Sequence, residues 1–297
     1  MAFIDEELAS DLAEEAGSVD EELFRETLRG DAALLRKAQS LVRLEGPAAS
    51  PVVMVGDIHG DLMSMMAAID VAVTREAGSI VFLGDYVDRG PSSIEVMWVA
   101  LGLWRRHPDR VVILRGNHET GPVAKAHGLL SQLEERGMEG LFKDMVEVFS
   151  WLPLAAVVED RIFAAHGGIP TGGPTISDIR AQKRGDPDPS QDPTFGLLWY
   201  DPDEKARDFE PNPTRGRGKA FGHAVAKDFL DRAGLACMVR SHQPVLQGHH
   251  VMFDGLVHTI FSCRTYGACL EPKVLLVRGT GKKEAPHIEA IRLPEGC

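Results

Sequence analysis

Three short glycine-flanked blocks, Gly56-Asp57-Ile58-His59-Gly60, Gly84-Asp85-Tyr86-Val87-Asp88-Arg89-Gly90 and Gly116-Asn117-His118-Glu119, each follow directly on an apolar run, Val52 to Val55, Ile80 to Leu83 and Val111 to Leu114. Short apolar runs bounded by glycine read as buried strands, and the amphipathic stretches at about 61–76, 92–107, 123–136 and 139–149 read as helices. Alternating strands and helices build a largely parallel sheet, and right-handed crossovers place the loops that follow its strands on one edge. The intervals from Asp57 to Asp85 and from Asp85 to Asn117 each accommodate one strand-helix-strand unit. All three blocks are thereby expected at one place.

Beyond Trp151 the pattern changes to strand pairs. Leu154 to Val158 and Ile162 to Ala165 flank the turn Glu159-Asp160-Arg161, and Val251 to Phe253 and Leu256 to Phe261 flank Asp254-Gly255, which predicts a second sheet. Pro170 to Gly218 is crowded with Pro, Gly and Asp and reads as long irregular loops, a length more often found at a functional rim than in an idle connection. Lys273 to Val277 and His287 to Ile291 read as two further strands. Residues 1–50 form an acidic prelude with Leu8, Leu12, Leu23, Phe24 and Leu28 at helical spacing, a capping box at Ser18 and Glu21, and a stop at Gly46-Pro47. The organisation expected is an acidic helical segment, 1–50, packing on a single α/β domain, 51–297.

Composition narrows the function classes. With 32 Lys plus Arg against 44 Asp plus Glu, the formal charge of −12 argues against a nucleic-acid partner, which would need a basic face. No apolar run reaches membrane-spanning length and no secretory leader is apparent, so a cytoplasmic setting is expected, with no membrane partner. The cysteines Cys237, Cys263, Cys269 and Cys297 form no C-x-x-C pair, and none is followed by Arg at Cys-x5-Arg spacing, which argues against a covalent thiolate mechanism.

A two-metal centre needs one ligand shared between ions held ~3.5–4 Å apart. Asp85 is the natural bridge, with Asp57 in the same place after its own glycine one crossover earlier. His59, two residues beyond Asp57, can face the same ion from an extended strand end. Asn117 supplies an amide, and His166 in Ala165-His166-Gly167-Gly168 and His242 in Arg240-Ser241-His242-Gln243 supply imidazoles from strand ends. A set mixing imidazole, carboxylate and amide suits Mn, with Fe or Zn as further options, better than Mg or Ca. Two carboxylates against two divalent cations leave a positive pocket inside an acidic protein, so an anionic phosphate ester is the expected substrate, attacked by a metal-bridging hydroxide. In-line displacement also needs cations on the phosphate oxygens and a proton for the leaving oxygen. Arg89 suits the first role through its planar fork, and His118, with its ring held by Asp88, suits the second.

These residues resemble the phosphoprotein phosphatases, the metal-dependent Ser/Thr phosphatases that include calcineurin, from Val52 to Gly267. The three blocks are similar to that family's signature motifs, and His166-Gly167-Gly168 and Arg240-Ser241-His242-Gln243 resemble its later histidine motifs. Leu197-Leu198-Trp199-Tyr200-Asp201-Pro202-Asp203 resembles its central segment. The resemblance implies a calcineurin-like metallophosphoesterase fold, two mixed β-sheets flanked by helices, acting on phosphorylated proteins. It implies that Asp57, His59 and Asp85 hold one metal and Asp85, Asn117, His166 and His242 the other. It also implies His118 as acid with Asp88 behind it. By the same resemblance a second phosphate-gripping arginine before Phe221-Gly222 falls on Arg215, with Arg217 as the alternative, and Tyr266 overhangs the centre. The sequence departs from the family's pattern at Lys125-Ala126-His127-Gly128, at Cys263-Arg264-Thr265 and at Gly267.

Two other readings compete. Arg89-Gly90-Pro91-Ser92-Ser93-Ile94-Glu95-Val96 also resembles the second block of diadenosine tetraphosphatase-like hydrolases, against which the central segment and Arg215 weigh. An inactive phosphoprotein-binding scaffold would have no need of all six ligands and His118.

Overall fold

A computed structural model describes residues 3–45, 50–267, 269, 271–279 and 286–294; Gly46-Pro47, expected to close the first segment, and Cys297 lie outside these. In chain order the elements begin with α1 (Glu6–Gly17), α2 (Glu21–Leu35), β1 (Leu41–Leu44), β2 (Val52–Val55), α3 (Leu62–Thr74), β3 (Ser79–Phe82), α4 (Ser93–Arg106) and β4 (Val111–Ile113). They continue with α5 (Gly121–His127), α6 (Leu129–Glu135), α7 (Leu141–Trp151), β5 (Ala155–Val158), β6 (Ile162–Ala165), α8 (Ile176–Arg180), α9 (Thr194–Trp199), β7 (Asp201–Pro202), β8 (Phe209–Pro211) and β9 (Lys219–Phe221). The last are α10 (His223–Ala233), β10 (Cys237–Arg240), β11 (His249–Met252), β12 (Val257–Ile260), β13 (Lys273–Arg278) and β14 (His287–Arg292).

Two mixed sheets face each other: β14-β13-β2-β3-β4, and β1-β5-β6-β10-β12-β11. The continuous apolar runs follow from burial on both faces. Val53 and Val55 point into the layer formed by the N-terminal helices, whereas Val52 and Met54 point between the sheets against Val158, Ile162, Val239 and Leu275. The outer face of the second sheet is covered by α8, α9 and α10 through Ile179, Leu197, Leu198, Phe229 and Leu230. The result is helices, sheet, sheet, helices, the α/β fold with two mixed sheets that the motifs imply. Among the described residues no helix is long and apolar enough to cross a membrane.

The acidic prelude packs on this body. Leu12 and Ala16 of α1 and Phe24, Leu28 and Leu35 of α2 are buried, and α1 lies on α3 and α4 while α2 lies on α7. Their acids meet bases of the body, Asp31 with Arg105 and Glu15 with Arg106, and their bases meet its acids, Arg29 with Asp144 and Arg36 with Glu147. The Asp31 carboxyl is pushed up to about 6 by burial, against the opposing pull of Arg105.

Four local expectations are corrected. Ser18 and Glu21 form no capping box; Asp20 caps α2 by accepting the Leu23 N–H at 3.0 Å, while Ser18 closes α1. The segment is not helical to residue 50, because Leu41–Leu44 pairs in parallel with β5 at the edge of the second sheet. The helix expected at 123–136 is two helices, broken where Gly128 takes φ 140°, a region closed to most side chains. The stretch read as irregular carries α8, α9, β7 and β8, and the two strands pair with β9 just beyond it in a small third sheet, β7-β9-β8.

Phe24 is fully buried, with its ring 5.4 Å from that of Trp98 in α4. Phe24→Ala should therefore lower the unfolding free energy by about 3–5 kcal/mol in urea titrations. A loss below about 1 kcal/mol would mean that the first helices do not share the core.

Candidate metal centre

The loops after β2, β3 and β4 and those after β6, β10 and β12 meet where the two sheets abut, joined by a parallel bridge between Asp57 and Phe261. The first two blocks are tied together when Ile58 and His59 both donate their N–H to the Asp85 carbonyl, at 3.0 and 2.9 Å. Glycine permits the contact between the second and third: a Cβ on Gly84 would lie 2.5 Å from Gly116 N, and one on Gly116 would strike the Asp85 carboxylate. His59, Asp85, Asp88, Arg89 and His242 all take positive φ, between 48° and 72°. Non-glycine residues hold this conformation only where the surroundings over-determine it, and such positions concentrate at functional sites.

The six expected ligands converge, and all are buried. His166 Nδ1 lies 3.0 Å from the Leu83 carbonyl, which can only accept, so Nδ1 carries the hydrogen and the neutral ring turns a lone pair outward at Nε2. That nitrogen faces Asn117 Oδ1 at 2.9 Å, His242 Nδ1 at 3.2 Å and Asp85 Oδ1 at 3.3 Å. His59 repeats the arrangement: Nδ1 donates to the Val87 carbonyl at 3.1 Å, and Nε2 looks at Asp57 Oδ2 at 3.6 Å and Asp85 Oδ2 at 3.7 Å. The two oxygens of Asp85 therefore face two different histidines. Asp85, His166 and His242 offer ligand atoms within 4.8 Å of one another, and so do His59, Asp85 and His118; Asp85 belongs to both groups.

Electrostatics fit the same reading. Burial lowers His166 and His242 well below the usual imidazole range and His59 to about 4, so the rings are neutral donors. Burial, then Asp57 and Glu119, drive the Asp85 carboxyl well above its ordinary value. Lone pairs and carboxylates packed this closely repel unless a cation sits among them, and this donor set suits divalent metals.

The structure brings the two residues of the expected acid pair, His118 and Asp88, together. His118 Nδ1 and Asp88 Oδ2 are 2.6 Å apart, and Asp88 Oδ1 accepts the Leu129 N–H at 2.8 Å. Burial moves the partners in opposite directions, His118 well down and Asp88 up to about 7. Arg89 is exposed at the rim and makes no side-chain hydrogen bond among the described residues. Arg215 donates through Nε to Asp201 Oδ2 at 2.6 Å and through Nη2 to the His242 carbonyl at 3.1 Å. Arg217 instead lies 3.9 Å over the Trp199 ring. Tyr266 stacks on His59, with centroids 5.4 Å apart.

Three supporting residues were not singled out from the sequence. The Glu119 carboxylate accepts the N–H groups of Asp85, Tyr86 and Gly116 at 2.7, 2.9 and 3.0 Å, bracing both metal loops. Ser241 donates its hydroxyl to Asp57 Oδ1, which also accepts the His242 N–H at 3.0 Å. Arg240, fully buried, holds Asp201 at 2.8 Å behind Arg215. Glu119 closes a motif that was noted, and Ser241 and Arg240 adjoin His242; what could not be read was their reach to distant backbone.

The chain as a whole is similar to known proteins. The family model for calcineurin-like phosphoesterases matches residues 50–246. A serine/threonine-protein phosphatase 4 catalytic subunit from Candida glabrata is 36% identical over 79% of this chain and 76% of its own length. The corresponding subunit from Eremothecium gossypii is 35% identical over 73% and 70%. Among solved structures, a protein serine/threonine phosphatase from Saccharomyces cerevisiae, described as similar to human phosphatase PP5, superposes with a TM-score of 0.82 at 25% identity, covering 93% of this chain and 92% of that one.

If Asp85 is shared between two ions, Asp85→Asn should lower the content of both together when chelator-treated protein is reloaded with Mn and measured by elemental analysis. Retention of one full equivalent would contradict the bridge.

Proposed function

This chain belongs to the calcineurin-like phosphoesterase family, and from that premise we propose that it is a metal-dependent protein phosphatase that removes phosphate from serine and threonine side chains. The observation that carries this reading is the single carboxylate of Asp85, which turns one oxygen toward His59 and the other toward His166. In the proposed assignment Asp57, His59 and Asp85 hold one divalent ion, and Asp85, Asn117, His166 and His242 hold the other. Mn is the proposed metal, with Fe or Zn as alternatives. Such a pair, when bound, polarises phosphoryl oxygens and makes water nucleophilic at neutral pH.

The chain's own groups would do the rest. Arg215 is aimed by Asp201, which is itself fixed by Arg240 and by Asn212 at 2.8 Å, so the guanidinium is oriented before substrate arrives. Its fork and that of Arg89 would grip the phosphate oxygens from two sides. Asp88, whose carboxyl burial pushes up to about 7, would donate the shared proton to His118 Nδ1, so that the neutral ring carries its hydrogen at Nε2 and would deliver it to the departing serine or threonine oxygen as it takes up the Asp88 proton. Tyr266 would cover the bound phosphate. The segment that speaks against a dinucleotide hydrolase, Leu197 to Asp203, supplies the Asp201 that clamps Arg215. Buried, unpaired Cys237, Cys263 and Cys269 support a reducing cytoplasmic setting.

Replacing His118 with Asn should slow turnover of a phosphoserine peptide by about 10²–10⁴-fold, and that of p-nitrophenyl phosphate far less, because the latter's leaving group needs little help. Equal losses would remove His118 from this role. Assay of the metal-loaded protein against phosphoserine, phosphothreonine and phosphotyrosine peptides and diadenosine tetraphosphate tests the function itself. Preferential cleavage of the dinucleotide would overturn it.

A further inference from the structure

Asp61 follows the first metal loop by one residue and caps α3, yet it does more than a cap requires. Its Oδ1 accepts the Ser64 N–H at 3.0 Å, which is the bond a helix cap supplies. Its Oδ2 accepts the Ser64 hydroxyl at 2.8 Å and then two backbone N–H groups from a segment some two hundred residues away in sequence, those of Arg264 at 2.9 Å and Thr265 at 3.2 Å. The carboxylate is only 4% exposed, so these charge-assisted bonds are shielded from water.

The segment it holds has further ties of its own: the Arg264 guanidinium donates to the Pro294 carbonyl, and the Cys269 N–H donates to the Tyr266 carbonyl at 2.9 Å. Residues 263–266 lie within the connection from β12 to β13, beside a small apolar cluster of Phe261, Cys263 and Cys269, on which Val245 and Tyr266 rest. The Arg264 N–H also lies 3.2 Å from the Ser64 hydroxyl, so Ser64 belongs to the same junction. Immediately after the two anchored amides comes Tyr266, whose ring stacks on His59 at an interplanar angle of 25°. His59 in turn meets the ring of His118 edge-on, with centroids 4.7 Å apart. One carboxylate thus links the backbone beside His59 to the backbone beside the ring lying over His59.

We propose that Asp61 is a positioning residue that fixes Tyr266 over the metal loop, so that substrate is received by a preset cover; the consequence for catalysis rests on the phosphatase reading above. Asp61→Asn keeps an oxygen to cap Ser64 but replaces the second acceptor with a donor, which cannot receive the Arg264 and Thr265 N–H groups. The prediction is loss of amide-exchange protection at Arg264 and Thr265 by about tenfold or more, with metal content unchanged. With a phosphoserine peptide, KM should rise about tenfold while kcat stays within about twofold, as expected when uniform binding is lost. In a Tyr266→Ala background the same substitution should add nothing, because both changes act through one group. Ser64→Ala, a milder change at the same junction, should give a smaller shift of the same kind, and it carries the test if Asp61→Asn does not fold.

Unchanged protection of the two amides would overturn the anchor. A full tenfold effect persisting without Tyr266 would overturn its action through that residue. If the wild-type protein hydrolyses no phosphopeptide, the phosphatase reading fails, while the exchange measurement still decides whether Asp61 holds the loop.

Discussion

The centre of this molecule is a set of electron pairs aimed at one another. His166 Nε2, Asn117 Oδ1, His242 Nδ1 and Asp85 Oδ1 crowd together, and the hydrogen of the His166 ring is committed to the Leu83 carbonyl. Inside a protein such a cluster is costly by itself and favourable around a cation. The left-handed conformations of Asp85 and His242, the back-to-back glycines Gly84 and Gly116, and the brace of Glu119 all serve to hold these atoms in place. Behind these loops the facing residues of the two sheets form a buried apolar layer.

The same geometry reconciles an acidic chain with an anionic substrate. Part of the acidic excess behind the net charge of −12 lies on α1 and α2, where Asp31 and Glu15 are paired with Arg105 and Arg106. Salt screens exposed charges beyond ~8–10 Å, so what a phosphate meets is set by its nearest groups. In the proposed assignment those are Arg89 at the rim, Arg215 held by Asp201, and the ring of His118.

The parts of the fold and site that could be read from sequence were those whose physics is local. A glycine, a carboxylate and a histidine directly after a buried strand disclose where a loop must turn, and strand and helix periods disclose that such loops share an edge. What escaped reading depends on partners far away. Leu41–Leu44 is too short to show a period and becomes a strand only because β5 is beside it. The amphipathic pattern through 123–136 runs unbroken across Gly128, so only the backbone angle reveals the break. The strands of the third sheet are two or three residues long amid Pro and Asp, where turn chemistry hides them. Ser18 and Asp20 are both competent caps, and the choice was made by which side chain reached Leu23. Glu119, Ser241 and Asp61 act on backbone N–H groups, a kind of partner that leaves no trace in composition or spacing.

The central claim is that Asp85 joins two cations. It is tested most directly by anomalous scattering, at the manganese edge, from crystals of the protein grown with that metal. The account predicts two peaks flanking the Asp85 carboxylate, one beside Asp57 and His59 and one beside Asn117, His166 and His242. A single peak, or peaks that leave Asp85 out of contact with either ion, would contradict it.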